Sequence, residues 1–125
     1  MMTIQIRETI YYQGEKLDIV GYPPLPKKDP RVIYIEGRRV DSILDLTNTT
    51  MCWRRYIGTW RIEDKKLYLC HLEGWYQMTT SEPILAEWFS GILTLDTYQD
   101  NKAVNLFEVE ITKGYVVSEK RLQQP

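Results

Sequence analysis

The chain predicts a mainly β domain: an antiparallel sheet curled into a barrel or sandwich, with one short helix at about 82–90 and an α+β arrangement as the alternative. Three observations carry this. Most apolar runs are short and alternate with polar residues, the period of a strand with one buried face. Short turn sequences separate successive runs, which favours antiparallel neighbours. Only one stretch clearly shows the three- and four-residue spacing of a helix together with its start and stop signals. With 125 residues, the chain fits one domain, 1–125, and buries roughly two-thirds of its unfolded surface without a disulfide or metal staple.

The elements follow in chain order. In segment 3–13, Ile4, Ile6, Ile10 and Tyr12 share one face, with Gln5, Arg7 and Thr9 opposite. Gly14-Glu15 then turns the chain into 17–20, which predicts a hairpin. The three prolines of Tyr22-Pro-Pro-Leu-Pro26 exclude a central strand and predict an extended crossing loop. A short strand at 32–35 stops at Gly37. Segment 40–46 reads equally as strand or short helix, and 47–50 as a loop. Strands 56–62 and 67–72, joined by Glu63-Asp-Lys-Lys66, form the clearest hairpin. Ser81 is placed to cap the helix, Pro83 suits its first turn, and Gly91 stops it. Its apolar stripe is Ile84, Leu85, Trp88 and Phe89. Strands at 92–97, 104–111 and 115–117 complete the chain, with Phe107, Val109 and Ile111 inward and Glu108 and Glu110 outward. Residues 121–125 read as a frayed tail.

Formal net charge is −1, which argues against a dedicated nucleic-acid binder that must neutralise many phosphates. The charge is uneven: residues through Lys66 carry 12 basic and 9 acidic side chains, the remainder 4 and 8. Four Trp and nine Tyr against two Phe supply large rings with polar tips, suited to half-buried faces, interfaces and pocket walls. No apolar run reaches the roughly 20 residues of a membrane span, and the opening residues lack a signal-peptide layout. Cys52 and Cys70 do not make a secreted-type framework. A cytoplasmic protein with reduced thiols is the expectation.

Several constellations bear on function. Trp53-Arg54-Arg55-Tyr56 interleaves aromatic and basic side chains, the residue types that anchor protein interfaces and, less aptly at this net charge, single-stranded nucleic acid. Trp75 and Tyr76, just after Gly74, form a second aromatic pair suited to recognition. Trp60 and Trp88 are candidates for the wall of an aromatic pocket. Cys70, His71 and Cys52 are the one metal-like set, yet adjacent strand residues point to opposite faces, so no metal site is expected. The same alternation separates Cys70 from His71 as a catalytic pair. Glu108 and Glu110 lie about 7 Å apart on one strand face, and with Asp96 they are the carboxylates a small hydrolase would use. No phosphate-loop, dinucleotide or zinc-protease signature is present, and no cofactor is expected.

Two resemblances follow from these residues. Gly58-Thr-Trp60 resembles the Gly-x-Trp element of lipocalins and fatty-acid-binding proteins, which implies a barrel around an apolar ligand. In those families it lies near the barrel's start, whereas here 65 residues follow Trp60, too few for a barrel of eight ordinary strands. Residues 54–69 and 86–93 are more broadly similar to a family of small uncharacterised bacterial proteins. That family's pattern runs approximately Arg-Gly-Tyr-x-x-Thr-Trp-Glu-Ile, then Leu-Tyr-Leu, then Asp-Trp-Phe-x-Gly. Arg55 stands where the family tends to Gly, and Arg61 where it tends to Glu. The resemblance implies a shared fold and no settled activity.

These observations predict a non-enzymatic intracellular module that binds a protein or a second copy of itself, through Trp53, Arg54, Arg55, Trp75 and Tyr76. A small-molecule module with an aromatic pocket is the first alternative, and a hydrolase using carboxylates the second.

Overall fold

In the computed structural model of the chain, the described residues are 7–35, 56–99 and 102–122, without the side chains of 98, 99 and 103. Segments 40–46 and 47–50, Cys52, Trp53, Arg54 and Arg55 lie outside them, as do Ile4, Gln5, Ile6, Gly37 and residues 123–125.

The described chain is all β. Its strands are β1 (Glu8–Tyr12), β2 (Glu15–Val20), β3 (Val32–Tyr34), β4 (Tyr56–Glu63), β5 (Lys66–Gly74), β6 (Tyr76–Met78), β7 (Ile84–Leu85), β8 (Gly91–Gln99), β9 (Lys102–Thr112) and β10 (Tyr115–Arg121). Seven of them close a barrel in the order β10-β9-β8-β2-β1-β4-β5, with β5 meeting β10 again at Lys66 and Tyr115. β7 lies along the outer edge of β5, and β3 pairs with β6 in a separate two-stranded sheet. Every pairing in the barrel is antiparallel except that of β1 with β4, where Ile10 aligns with Trp60. The barrel is therefore mixed, a refinement of the antiparallel expectation.

Three tight turns set the register. Gln13-Gly14, Asp64-Lys65 and Lys113-Gly114 each place both residues at positive φ. This backbone twist matches that of the flanking strands and joins them with two residues. The hairpins predicted at Gly14, Glu63–Lys66 and Gly114 thus form as β1–β2, β4–β5 and β9–β10. Alternation then decides burial: Ile10, Tyr12, Leu17, Ile19, Trp60, Leu67, Leu69, Leu93, Leu95, Val109 and Ile111 fill the interior. Removal of their apolar surface from water is the dominant favourable term for a fold of this kind.

The helix expected at 82–90 is absent, and the described residues form no helix that would support the α+β alternative. Ile84 and Leu85 instead pair with Leu69 and Tyr68 on the free edge of β5. Ala86 N donates to Leu67 O at 2.8 Å, and Phe89 N closes a turn onto Ala86 O at 3.0 Å. Ile84 and Ala86 are buried two residues apart, so the strand period wins over the helical one. A nine-residue helix is marginal by itself, while a sheet edge offers unsatisfied backbone groups at once. The turn after β7 also seals the barrel. Gly114 N donates to Phe89 O at 3.0 Å, Leu67 N to Gly114 O at 2.8 Å, and Val116 N to Lys65 O at 2.9 Å. Residue 121, expected to open a frayed tail, is still in the sheet: Arg121 pairs with Phe107, and Leu122 N reaches Leu106 O.

Candidate functional site

The small sheet gathers aromatic rings that are scattered in sequence. Pairing of β3 with β6 sets Tyr34 opposite Tyr76, with ring centroids 5.1 Å apart. Trp75, at the bend between β5 and β6, stands 6.2 Å from Tyr34, and its carbonyl receives Ile35 N at 2.7 Å. On the other side Tyr76 meets Tyr56 edge-on at 5.4 Å, and Tyr56 meets Tyr22 edge-on at 6.1 Å. Edge-to-face contacts at these distances are the favoured geometry of aromatic pairs. The result is one continuous row: Tyr22, Tyr56, Tyr76, Tyr34, Trp75.

The row grades from core to surface. Tyr56 is buried, and its hydroxyl donates to Pro23 O at 3.2 Å. Trp75 and Tyr76 are half-buried. Tyr22 and Tyr34 are 53% and 51% exposed. The proline loop is held in place from the opposite side, where Trp88 Nε1 donates to Pro24 O at 2.7 Å.

Of the interface residues expected from sequence, Trp75 and Tyr76 are therefore brought together, and with three further tyrosines. Trp53, Arg54 and Arg55 fall outside the described residues, but they directly precede Tyr56 in the chain. The two pocket candidates separate. Trp60 is fully buried in the barrel, whereas Trp88 lies in the turn after β7, packed on the core edge and on the proline loop.

Sequence reading missed a set of buried polar groups. Glu8 is fully buried; its Oε2 accepts from Gly58 N at 2.6 Å and its Oε1 from Trp60 Nε1 at 2.9 Å. A signal existed, since Glu8 shares strand parity with Ile10 and Tyr12. On the outer barrel face Asp18 aligns with Asp96 across β2 and β8. Asp96 is fully buried, its Oδ2 paired with Arg7 and its Oδ1 without a hydrogen-bond partner. Burial raises the Asp18 carboxyl pKa, the charge of Asp96 adds to the rise, and Arg7 and Lys16 oppose it. At the barrel end near the β1–β2 turn, Tyr12 donates to Glu119 Oε1 at 2.5 Å while Lys65 Nζ holds Glu119 Oε2.

The other titratable candidates are dispersed. Glu110 is exposed and Glu108 half-buried on β9, aligned with Ile92 and Thr94. Cys70 is a free, half-buried thiol whose pKa burial raises, which disfavours the reactive thiolate. His71, next to it, is exposed. Among the described residues, one surface depression of about 270 Å³ is lined by Arg61, Glu63, Asp64, Tyr68, Glu82 and Pro83, and another of about 430 Å³ lies beside Cys70 and Met78. Neither is lined by Trp60 or Trp88. No helix among the described residues is long and apolar enough to cross a membrane.

No protein-family model, curated protein or solved structure matches the chain.

Proposed function

We propose that the chain is a non-enzymatic protein-binding module of the cytoplasm whose partner docks on the aromatic row of the small sheet. One observation carries this reading: five aromatic rings in an unbroken row of pairwise contacts, with Tyr22 and Tyr34 half exposed. Tyrosine and tryptophan bring large area at small entropic cost, and rings already packed against one another lose little freedom on binding. Such residues dominate the centres of protein interfaces. The Trp53-Arg54-Arg55 run enters the chain next to Tyr56 and extends the same composition. The free thiol of Cys70 accords with a reducing compartment. The alternative of an aromatic ligand pocket has less support, because Trp60 is enclosed by the core and bonded to Glu8.

The test is capture of a stoichiometric partner from a lysate of the source cells, followed by calorimetric titration of the purified pair. Trp75→Ala and Tyr34→Ala are expected to weaken binding at least tenfold, with unchanged circular dichroism. Absence of any stoichiometric partner, or an affinity in both variants equal to that of the native chain, would overturn the reading.

A further inference from the structure

The barrel sheet and the small sheet part company along β5. Up to Leu69 the outer edge of β5 is occupied, by β10 at Lys66 and by β7 at Tyr68 and Leu69. Beyond Leu69 no described strand pairs with Cys70, His71 or Leu72 on that edge. The chain that would complete the hairpin has been drawn away: β6 pairs with β3, Thr79 N donates to Arg31 O at 2.8 Å, and Thr79 Oγ1 donates to Pro30 O at 3.0 Å. It rejoins β5 only at Ile84. Between the two runs lies the depression of about 430 Å³, walled by Cys70, His71 and Leu72 on one side and by Gln77, Met78, Thr80 and Ser81 on the other.

Among the described strands, neither wall of this slot has a pairing partner on the edge that faces it, since β6 pairs with β3 alone and β5 beyond Leu69 with β4 alone. Open edges present rows of backbone N–H and C=O groups, and the group that satisfies such rows is another extended backbone. A run of three extended residues spans about 10 Å, and the volume is in the range of sites that enclose a ligand. We infer that an extended segment of the partner protein inserts between β5 and β6, adding a strand that joins the two sheets beside Tyr76. The inference rests on the protein-binding reading and names the chemistry of the partner: a linear peptide without proline at its central positions, whose alternate side chains face Met78 and Leu72.

The experiment selects a phage-displayed library of linear twelve-residue peptides on the full chain, then maps binders by amide resonance shifts and hydrogen exchange. The expected result is shifts at Cys70, Leu72, Gln77 and Met78, with slowed exchange at the amides of Leu72 and Met78; the Gln77 amide already faces β3. Ser81→Trp at the exposed rim, and Cys70→Trp within the slot, should each reduce peptide affinity at least tenfold. The rim variant serves where the inner one fails to fold. Peptides that shift only Tyr22, Tyr34 and Trp75 would overturn the slot and leave the aromatic interface standing. The same holds if a captured partner binds Ser81→Trp with unaltered affinity. If neither a peptide nor a partner binds, both readings fall. If sedimentation shows a dimer that shifts these same amides, the occupant is a second copy and the inference is overturned.

Discussion

Inside the barrel, the indole Nε1 of Trp60 donates a 2.9 Å hydrogen bond to Oε1 of Glu8. The two residues belong to the parallel pair β1–β4, and the other carboxylate oxygen takes Gly58 N at 2.6 Å. A buried carboxylate is tolerated when its lone pairs are satisfied, and removing it strands its donors. Glu8→Ala should therefore cost about 2–5 kcal/mol, combining two orphaned buried donors with a cavity. Trp60→Phe, which keeps a ring but drops the N–H, should cost less. In a double-mutant cycle by urea denaturation, the two losses should be strongly non-additive, because both remove the same bond. Additive losses would show that the bond contributes little.

Glycine substitutions separate backbone strain from crowding. Gly14 and Gly114 have similar φ, +78° and +85°, but a Cβ on Gly14 meets nothing within 4 Å, whereas one on Gly114 lies 2.9 Å from the Ala86 carbonyl. Gly14→Ala should cost about 1 kcal/mol from left-handed strain alone. Gly114→Ala should cost about 1–3 kcal/mol more, because the Ala86 turn seals the barrel and must shift. Equal losses would mean that the β7 turn yields freely.

The paired acids Asp18 and Asp96 predict a stability component that favours low pH. The Asp18 pKa is raised in the folded state, first by burial and then by Asp96. Its contribution is therefore present below the unfolded pKa and is lost as pH rises through the folded value. Asp18→Asn, which is neutral at every pH, should raise stability at neutral pH relative to the native chain and flatten this part of the profile. Denaturant midpoints measured from about pH 4 to 7, across the range above the ordinary Asp pKa, would detect it. An unchanged slope would remove Asp18 as the source.

Much of the barrel was legible from local rules, and the failures share one cause. The hairpins at Gly14, Lys65 and Gly114 were readable because turn chemistry and alternation agree there over adjacent residues. The segment 82–90 was misread because Ile84, Leu85, Trp88 and Phe89 satisfy a helical spacing as well as a strand edge. The choice fell to β5, a partner about 15 residues away. The burial of Glu8 and of Asp96, the latter singled out only as a candidate hydrolase carboxylate, is not legible because a charged residue on a strand is usually solvated; only pairing with Gly58, Trp60 and Arg7 makes their burial tolerable. The aromatic pair Trp75–Tyr76 was visible as a pair. Its extension to Tyr34, Tyr56 and Tyr22 depends on β3–β6 pairing and on the path of the proline loop, which no local pattern encodes.

The final prediction concerns Tyr12, whose hydroxyl donates to Glu119 Oε1 at 2.5 Å while Lys65 holds Oε2. Two titrations of opposite sense follow. Lys65, then Tyr12, lower the Glu119 pKa, so this contribution is present above the unfolded carboxyl range and is lost as pH falls through the folded value. Burial, then Glu119, raise the Tyr12 pKa well above its ordinary value of 10.0. That contribution is present below pH 10 and is lost as alkali approaches the folded value. Tyr12→Phe should remove the alkaline component and cost about 1–2 kcal/mol at neutral pH through the lost bond to a charged acceptor. An ultraviolet titration of the native chain should show a late step, at the unfolding of the barrel, to which Tyr12 contributes one ionisation. Tyr12→Phe should remove that one ionisation from the late step while leaving the other tyrosines unchanged. A late step of unaltered size in Tyr12→Phe would assign it to other rings.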